Sequence, residues 1–133
     1  MPAKEEDLLH DNAGIHLEIN LVLIGKHRDL LVNGFGRGLI ELCCLVKEKG
    51  SINKAAQDMG MSYSKAWHIL SNAKKILGVS LVKRNRSKGS TITPEAEELI
   101  ASYYAIQKHL ISEAENMVLK MIDRIHECSR SIV

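Results

Sequence analysis

The sequence predicts a mainly α fold with a small β component: a winged helix-turn-helix with an N-terminal β-hairpin and a long C-terminal dimerisation helix. Three stretches of the 133 residues carry that prediction. Residues 50–78, GSINKAAQDMGMSYSKAWHILSNAKKILG, have the pattern of two short helices joined by a tight turn. Directly behind them, VSLVKRNRSKGSTIT at 79–93 has the pattern of a basic hairpin. From Pro94 onward apolar residues recur at steps of three and four for about thirty residues, the stripe of one long helix.

In chain order, residues 1–14 are polar and acidic and form a flexible lead-in. Ile15, Leu17 and Ile19 then alternate with His16, Glu18 and Asn20, which predicts a strand running to about Ile24. GKHRD at 25–29 is turn-like, and Leu30 to Val32 return as the second arm of a hairpin whose role is packing. Asn33-Gly34-Phe35-Gly36 breaks the strand before a helix from about Arg37 to Lys49. That helix buries Leu39, Leu42, Cys43 and Val46, and Ile40, Cys44 and Leu45 make it apolar on more than one side, so it is surrounded.

Ser51 N-caps the next helix, which runs through Met59, and Ala55 and Ala56 are small enough for a second helix to cross closely. Gly60 supplies the positive φ that ends it. Ser62 N-caps the second helix, which continues until Gly78 stops it, and the order Ala56, Gly60, Ala66 has helix-turn-helix spacing. At 100° per residue, Ala66, Leu70, Ala73 and Leu77 share one narrow stripe flanked by Tyr63, Ile69 and Ile76; that side is buried. The opposite face carries Ser64, Lys65, His68, Ser71, Asn72 and Lys75, with no carboxylate. Such a face also occurs on a solvated helical hairpin, so the segment behind it matters.

There, Leu81 and Val82 begin a strand, Asn85 to Ser90 form a tip, and Thr91 to Thr93 return. Lys83, Arg84, Arg86 and Lys88 place four cations within six residues, suited to a minor groove or to phosphates. Thr93 and Pro94 start the last helix, with Glu95, Glu97 and Glu98 at its positive dipole end. Its stripe is Ala96, Leu99, Tyr103, Ile106, Leu110, Ala114, Met117, Met121 and Ile125. About thirty residues make roughly 45 Å of helix, more than a small domain covers. The excess argues for a second copy of the chain as partner; two shorter helices folded back are the alternative.

Hydrophobic residues make up 45%, enough for a packed core, and aromatics only 4%, so that core is aliphatic and suits helices. Uncharged apolar runs such as Leu21 to Ile24 are too short for a bilayer, and MPAKEEDLL lacks the features of a signal peptide; a cytoplasmic location is expected. Net charge is +2 but unevenly spread. Residues 1–35 carry three Lys/Arg against six Asp/Glu, residues 36–93 eleven against three, and residues 94–133 four against seven. The basic excess coincides with the helix-turn-helix and hairpin, the footprint of phosphate contact. Cys43, Cys44 and Cys128 form no even framework and no CxxC pair; Cys43 lies on an apolar stripe as a core residue. No nucleophile–base pair, phosphate loop or metal-ligand spacing is present, so neither an enzyme nor a cofactor is expected.

The run GSINKAAQDMGMSYSKAW, then ILGVSLVKR, then TITPEAEELIASYYA, resembles the N-terminal DNA-binding domain of the ModE-type molybdate-responsive regulators, whose winged helix is related to that of LysR-type regulators. The resemblance spans residues 15 to about 118. It implies that Ser62, Tyr63, Ser64, Lys65, Trp67 and His68 sit where the recognition helix meets the major groove, and that Arg84, Arg86 and Lys88 lie in the wing. Two departures stand out. The family's wing commonly carries a long glycine-rich stretch, whereas RNRSKGS is short and closer to LysR-type wings. Full-length regulators continue into small β-domains that bind molybdate, whereas this chain stops at Val133, so oxyanion sensing is not carried over.

The expectation is a homodimeric transcription regulator, with a DNA-binding domain at 15–93 and a dimerisation helix and tail at 94–133. Its expected partners are double-stranded DNA and a second copy, with a separate effector-sensing protein as a further candidate. The recognition helix, about 62–77, enters the major groove, with Ser64, His68 and Asn72 as candidates for base edges, Lys65 for phosphates and Lys75 on the same face. Two-fold symmetry predicts half-sites about 34 Å apart, or a multiple. For Tyr63 and Trp67, packing and DNA contact are both open. The alternative is a winged-helix module that docks a protein partner and whose basic face is incidental.

Overall fold

The computed structural model of the protein describes residues 15–27, 30–86 and 89–131. The expected lead-in at 1–14 and the wing cation Lys88 lie outside the described residues. In chain order the elements are β1 (Leu23–His27), β2 (Leu30–Phe35), α1 (Arg37–Lys49), α2 (Ile52–Asp58), α3 (Tyr63–Leu77), β3 (Val82–Asn85), β4 (Gly89–Ile92) and α4 (Pro94–Ser131). The strands pair as two antiparallel hairpins, β1–β2 and β3–β4, so the mainly α architecture with small β parts is the one observed.

The first strand differs from expectation at both ends. It begins at Leu23 rather than Ile15, and residues 25–27, expected to turn, belong to it. His27 pairs with Leu30 and Leu23 with Phe35, with a register shift between Leu23 and Gly25. Pairing stops there because β2 ends at Phe35 and the chain enters α1 at Arg37. Two carbonyls before β1 find other donors: Leu21 accepts from the Tyr103 hydroxyl at 2.7 Å, and Ile19 from Gln107 Nε2 at 3.0 Å. Burial still alternates, with Leu17, Ile19 and Leu21 half-buried and Glu18, Asn20 and Val22 exposed. The period of two was therefore real, but it reports which side chains face a surface rather than whether the backbone has a partner strand.

Two compact units divide the chain, one at Asn20–Tyr104 and the other made by residues 15–19 with 105–131 among those described. In the first, α1 supplies Leu39, Leu42, Cys43 and Val46 to a core completed by Phe35, Ile52, Ala55, Ala56, Ala66, Leu70, Ala73, Leu81 and Ala96. Ala56 and Ala66 are fully buried, as a close crossing of two helices requires. Local signals set the helix ends. Ser51 Oγ accepts the Lys54 N–H at 3.2 Å and Ser62 Oγ the Lys65 N–H at 3.1 Å, each satisfying a donor that a helix start leaves open. Gly60 turns the chain at φ 69°.

The β3–β4 hairpin pairs further than expected. Its rungs run from Val82↔Ile92 to Asn85↔Gly89, so Asn85 and Ser90, expected in the tip, belong to the strands. Asn85 Nδ2 reaches Thr91 Oγ1 at 3.5 Å across the strands. Leu81, expected to begin the strand, instead precedes it as a core plug. Thr93 follows the returning strand and serves the helix: its hydroxyl donates to the Ser80 carbonyl at 2.7 Å and accepts the Ala96 N–H at 3.2 Å.

Helix α4 is continuous over 38 residues, about 57 Å at 1.5 Å per residue. The sequence stripe along it meets two fates. Ala96 and Tyr103 are buried, whereas Ile106, Leu110, Met117, Met121 and Ile125 are exposed.

Candidate nucleic-acid interface

Helix α3 presents Ser64, Lys65, His68 and Lys75 to solvent, with Ser62 exposed at its N-cap. Ser71 and Asn72 are half-buried. Asn72 and His68, together with Ile69, line a cavity of about 290 Å³ closed on its other side by Phe35, Gly36, Gly38 and Leu39. No carboxylate occurs anywhere on α3.

Tyr63 and Trp67, placed by periodicity at the flank of the buried stripe, are 38% and 40% exposed. Their ring faces carry Arg84 of β3, whose guanidinium lies 4.5 Å from the Trp67 ring centre and 5.6 Å from that of Tyr63. The structure thus joins one wing cation to the start of α3. The i, i+4 spacing of the two aromatics signalled that they share a side of the helix, but nothing local signalled what would cover them. Lys83 and Arg86 are exposed on the wing.

Charge is segregated within this unit. Glu41 pairs with Arg37 at 3.6 Å, Glu97 with Lys47 at 2.8 Å and Asp58 with Lys49 at 3.5 Å. Among the described residues, no carboxylate pairs with Lys65, Lys74, Lys75, Lys83, Arg84 or Arg86. Exposed pairs of this kind contribute little stability; their consequence here is that Glu41, Asp58 and Glu97 are neutralised away from α3 and the wing.

The adjacent thiols Cys43 and Cys44 are poorly placed for chemistry. Burial, reinforced by the neighbouring Cys44, pushes the Cys43 thiol up from 9.0 to about 12. Burial also raises Cys44, against the lowering effect of its hydrogen bond with Tyr104 and of Lys47. A raised folded-state value favours the thiol, so this contribution to stability is full below about pH 9 and is lost as pH rises toward 12. Cys43 should accordingly resist an anionic aromatic disulfide at pH 8 in the native protein and react only after denaturation; rapid native labelling would contradict the burial. Among the described residues no group of three potential ligands is arranged to hold a metal. Within the same residues, no helix is long and apolar enough to cross a membrane.

Comparison with known proteins places these features in a family context. Residues 38–97 match the family described as bacterial regulatory helix-turn-helix protein, lysR family. The molybdenum transport protein ModE of Herbaspirillum seropedicae is 30% identical over 82 residues, covering 59% of this chain and 30% of that protein. The molybdenum-pterin-binding protein MopB of Rhodobacter capsulatus is 32% identical over 98 residues, covering 71% and 32%. The chain thus spans about a third of the length of these curated relatives. Among solved structures, similarity extends to the BenM_DBD/benA site 1 DNA complex, with 27% identity, TM-score 0.43, and coverage of 67% of this chain and 93% of that one. It extends also to the CbnR_DBD-DNA complex, with 19% identity, TM-score 0.43, and coverage of 71% and 93%. With α2 and α3 as the helix pair, α1 beneath them and β3–β4 as the wing, the segment 38–97 has a winged helix-turn-helix architecture and is similar in sequence to the bacterial regulatory helix-turn-helix proteins of the lysR family and to ModE.

Proposed function

We propose that the protein binds double-stranded DNA sequence-specifically as a homodimeric transcription regulator. The observation that carries this reading is the set of six cations on α3 and the wing that meet no carboxylate among the described residues, while Glu41, Asp58 and Glu97 of the same unit pair with Arg37, Lys49 and Lys47. A surface of this kind attracts phosphates and releases their counterions. Helix α3 enters the major groove, where Ser64 and His68 reach base edges and Asn72, half-buried, reaches them from the margin of the same face. Ser62, Lys65 and Lys75 take phosphates, and the wing lies along the backbone or the minor groove. Binding selections from random duplex DNA at two salt concentrations test the reading. Enrichment of an inverted repeat with a steep loss at higher salt supports it; weak, salt-insensitive retention with no enrichment points to a protein-docking module instead.

Dimerisation rests on α4. Its exposed Ile106, Leu110, Met117, Met121 and Ile125 follow the spacing of a helix that packs against another, and Met117 is 71% exposed. Met117→Glu with Met121→Glu should leave the fold of the Asn20–Tyr104 unit intact and convert the dimer to a monomer in sedimentation analysis. A variant that remains dimeric would place the contact elsewhere. The proposal extends to DNA binding alone: the molybdenum-related names belong to relatives of which the chain spans about a third.

A further inference from the structure

One rung of the wing is held from two sides. Arg84 of β3 pairs with Ser90 of β4. Ser90 is 7% exposed and donates its backbone N–H to the Gly50 carbonyl at 2.8 Å, which ties the rung to the C-terminal end of α1. On the other strand, the Arg84 guanidinium lies over Trp67 and Tyr63 at 4.5 and 5.6 Å. These two residues are one turn apart at the start of α3, beside Ser64 and Lys65. A planar, weakly hydrated guanidinium stacks on an aromatic face in a way that an ammonium reproduces poorly.

We propose that Arg84 is a positioning residue: it latches the wing to the Tyr63–Trp67 pair and sets the angle between wing and α3 before DNA arrives. This inference rests on the reading that α3 and the wing engage one duplex together. Arg84 therefore acts through the two rings, and the phosphate contacts of the wing fall to Lys83 and Arg86. A wing already docked does not have to be ordered on binding, so the latch contributes to affinity by preorganisation. The expected role of Arg84 as a phosphate contact is replaced by one that depends on its shape as much as on its charge.

Trp67 is the single tryptophan of the chain, so its emission reports the latch directly. In the DNA-free protein, Arg84→Ala should shift that emission to the red, because water replaces the guanidinium on the ring face. Unchanged emission overturns the latch whatever the DNA result. On a duplex obtained by selection, Arg84→Ala and Arg84→Lys should each lose about 5-fold in affinity. The Arg84→Lys variant should keep the wild-type salt slope, since its charge is retained. Combining Arg84→Ala with Trp67→Ala should cost no more than the worse single change. Full rescue by lysine, or losses that add, makes Arg84 an ordinary phosphate contact and overturns the proposal. A protein that shows the emission shift but retains no duplex overturns the DNA-binding reading while the latch contact stands, so the two failures are distinguishable.

Discussion

Gly89→Ala should unseat the wing while leaving the helical core folded. Gly89 adopts φ 80°, which L side chains rarely accept, and a Cβ there would collide with the Gly50 carbonyl oxygen. That oxygen is backbone rather than the mobile end of a side chain, and it has little room to retreat. Gly50 is itself the left-handed C-cap of α1, at φ 70° with its N–H on the Val46 carbonyl. Strain at a positive φ costs roughly 1–2 kcal/mol, and overpacking typically about 1–3 kcal/mol, so a loss of about 2–5 kcal/mol is expected in denaturant unfolding unless the wing swings away. Swinging away breaks the Ser90–Gly50 hydrogen bond and moves Arg84 off its rings, which would appear as weakened DNA binding and altered Trp67 emission. Gly38→Ala is the matched control: a Cβ there meets nothing within 4 Å, and in a helix alanine is favoured over glycine by up to about 1 kcal/mol. If Gly89→Ala is as stable as the parent and binds DNA equally well, the wing is not seated against Gly50.

The triple change Lys65→Ala, Lys83→Ala, Arg86→Ala should cut DNA affinity about 100-fold near physiological salt, at about 1 kcal/mol for each phosphate contact. The slope of log affinity against log salt should flatten by about 2.7, three contacts at roughly 0.9 each on duplex DNA. Folding should be unaffected, because all three side chains are exposed and none meets a carboxylate among the described residues. The loss should also be uniform across duplex sequences, since phosphates carry no sequence information. His68→Ala offers the contrast: as a base-edge contact it should change which sequence is preferred and leave the slope in place. An unchanged slope in the triple variant would remove the wing and the face of α3 from the duplex.

Helix positions along this chain were legible because their signals are local. Ser51, Ser62 and Thr93 each cap a helix through an N–H three residues away. Gly60 and Gly78 supply the left-handed conformations that end α2 and α3, and Pro94 is the first residue of α4. Spacing at 3.6 residues per turn was enough to identify Leu39, Leu42, Cys43 and Val46 as core, and Ser64, Lys65 and His68 as an outer face. In each case the interaction that decides the structure lies within a turn or two of the residue that signals it.

The first strand shows where that legibility ends. Alternation marked Leu17 and Ile19 as half-buried but failed at Ile15, which is 41% exposed, and whether the backbone pairs depended on where β2 ends, at Phe35. Tyr63 and Trp67 sit at the margin of the stripe, where periodicity leaves burial and exposure open. Their covering residue comes from β3, after α3 has ended and the chain has turned at Gly78.

By itself, then, the sequence determined the order, type and capping of the helices, the buried stripes of α1, α2 and α3, and the carboxylate-free basic face. Tertiary structure alone decided where β1 stops pairing, that the wing hairpin rests on Gly50, that Arg84 stacks on Trp67 and Tyr63, and which part of the long apolar stripe of α4 its own unit buries. The division follows from range. Caps, turns and periodicity act over a few residues and are written where they act, whereas contacts between β3 and α3, or between Gly89 and Gly50, exist only after separate elements have packed and their faces have met.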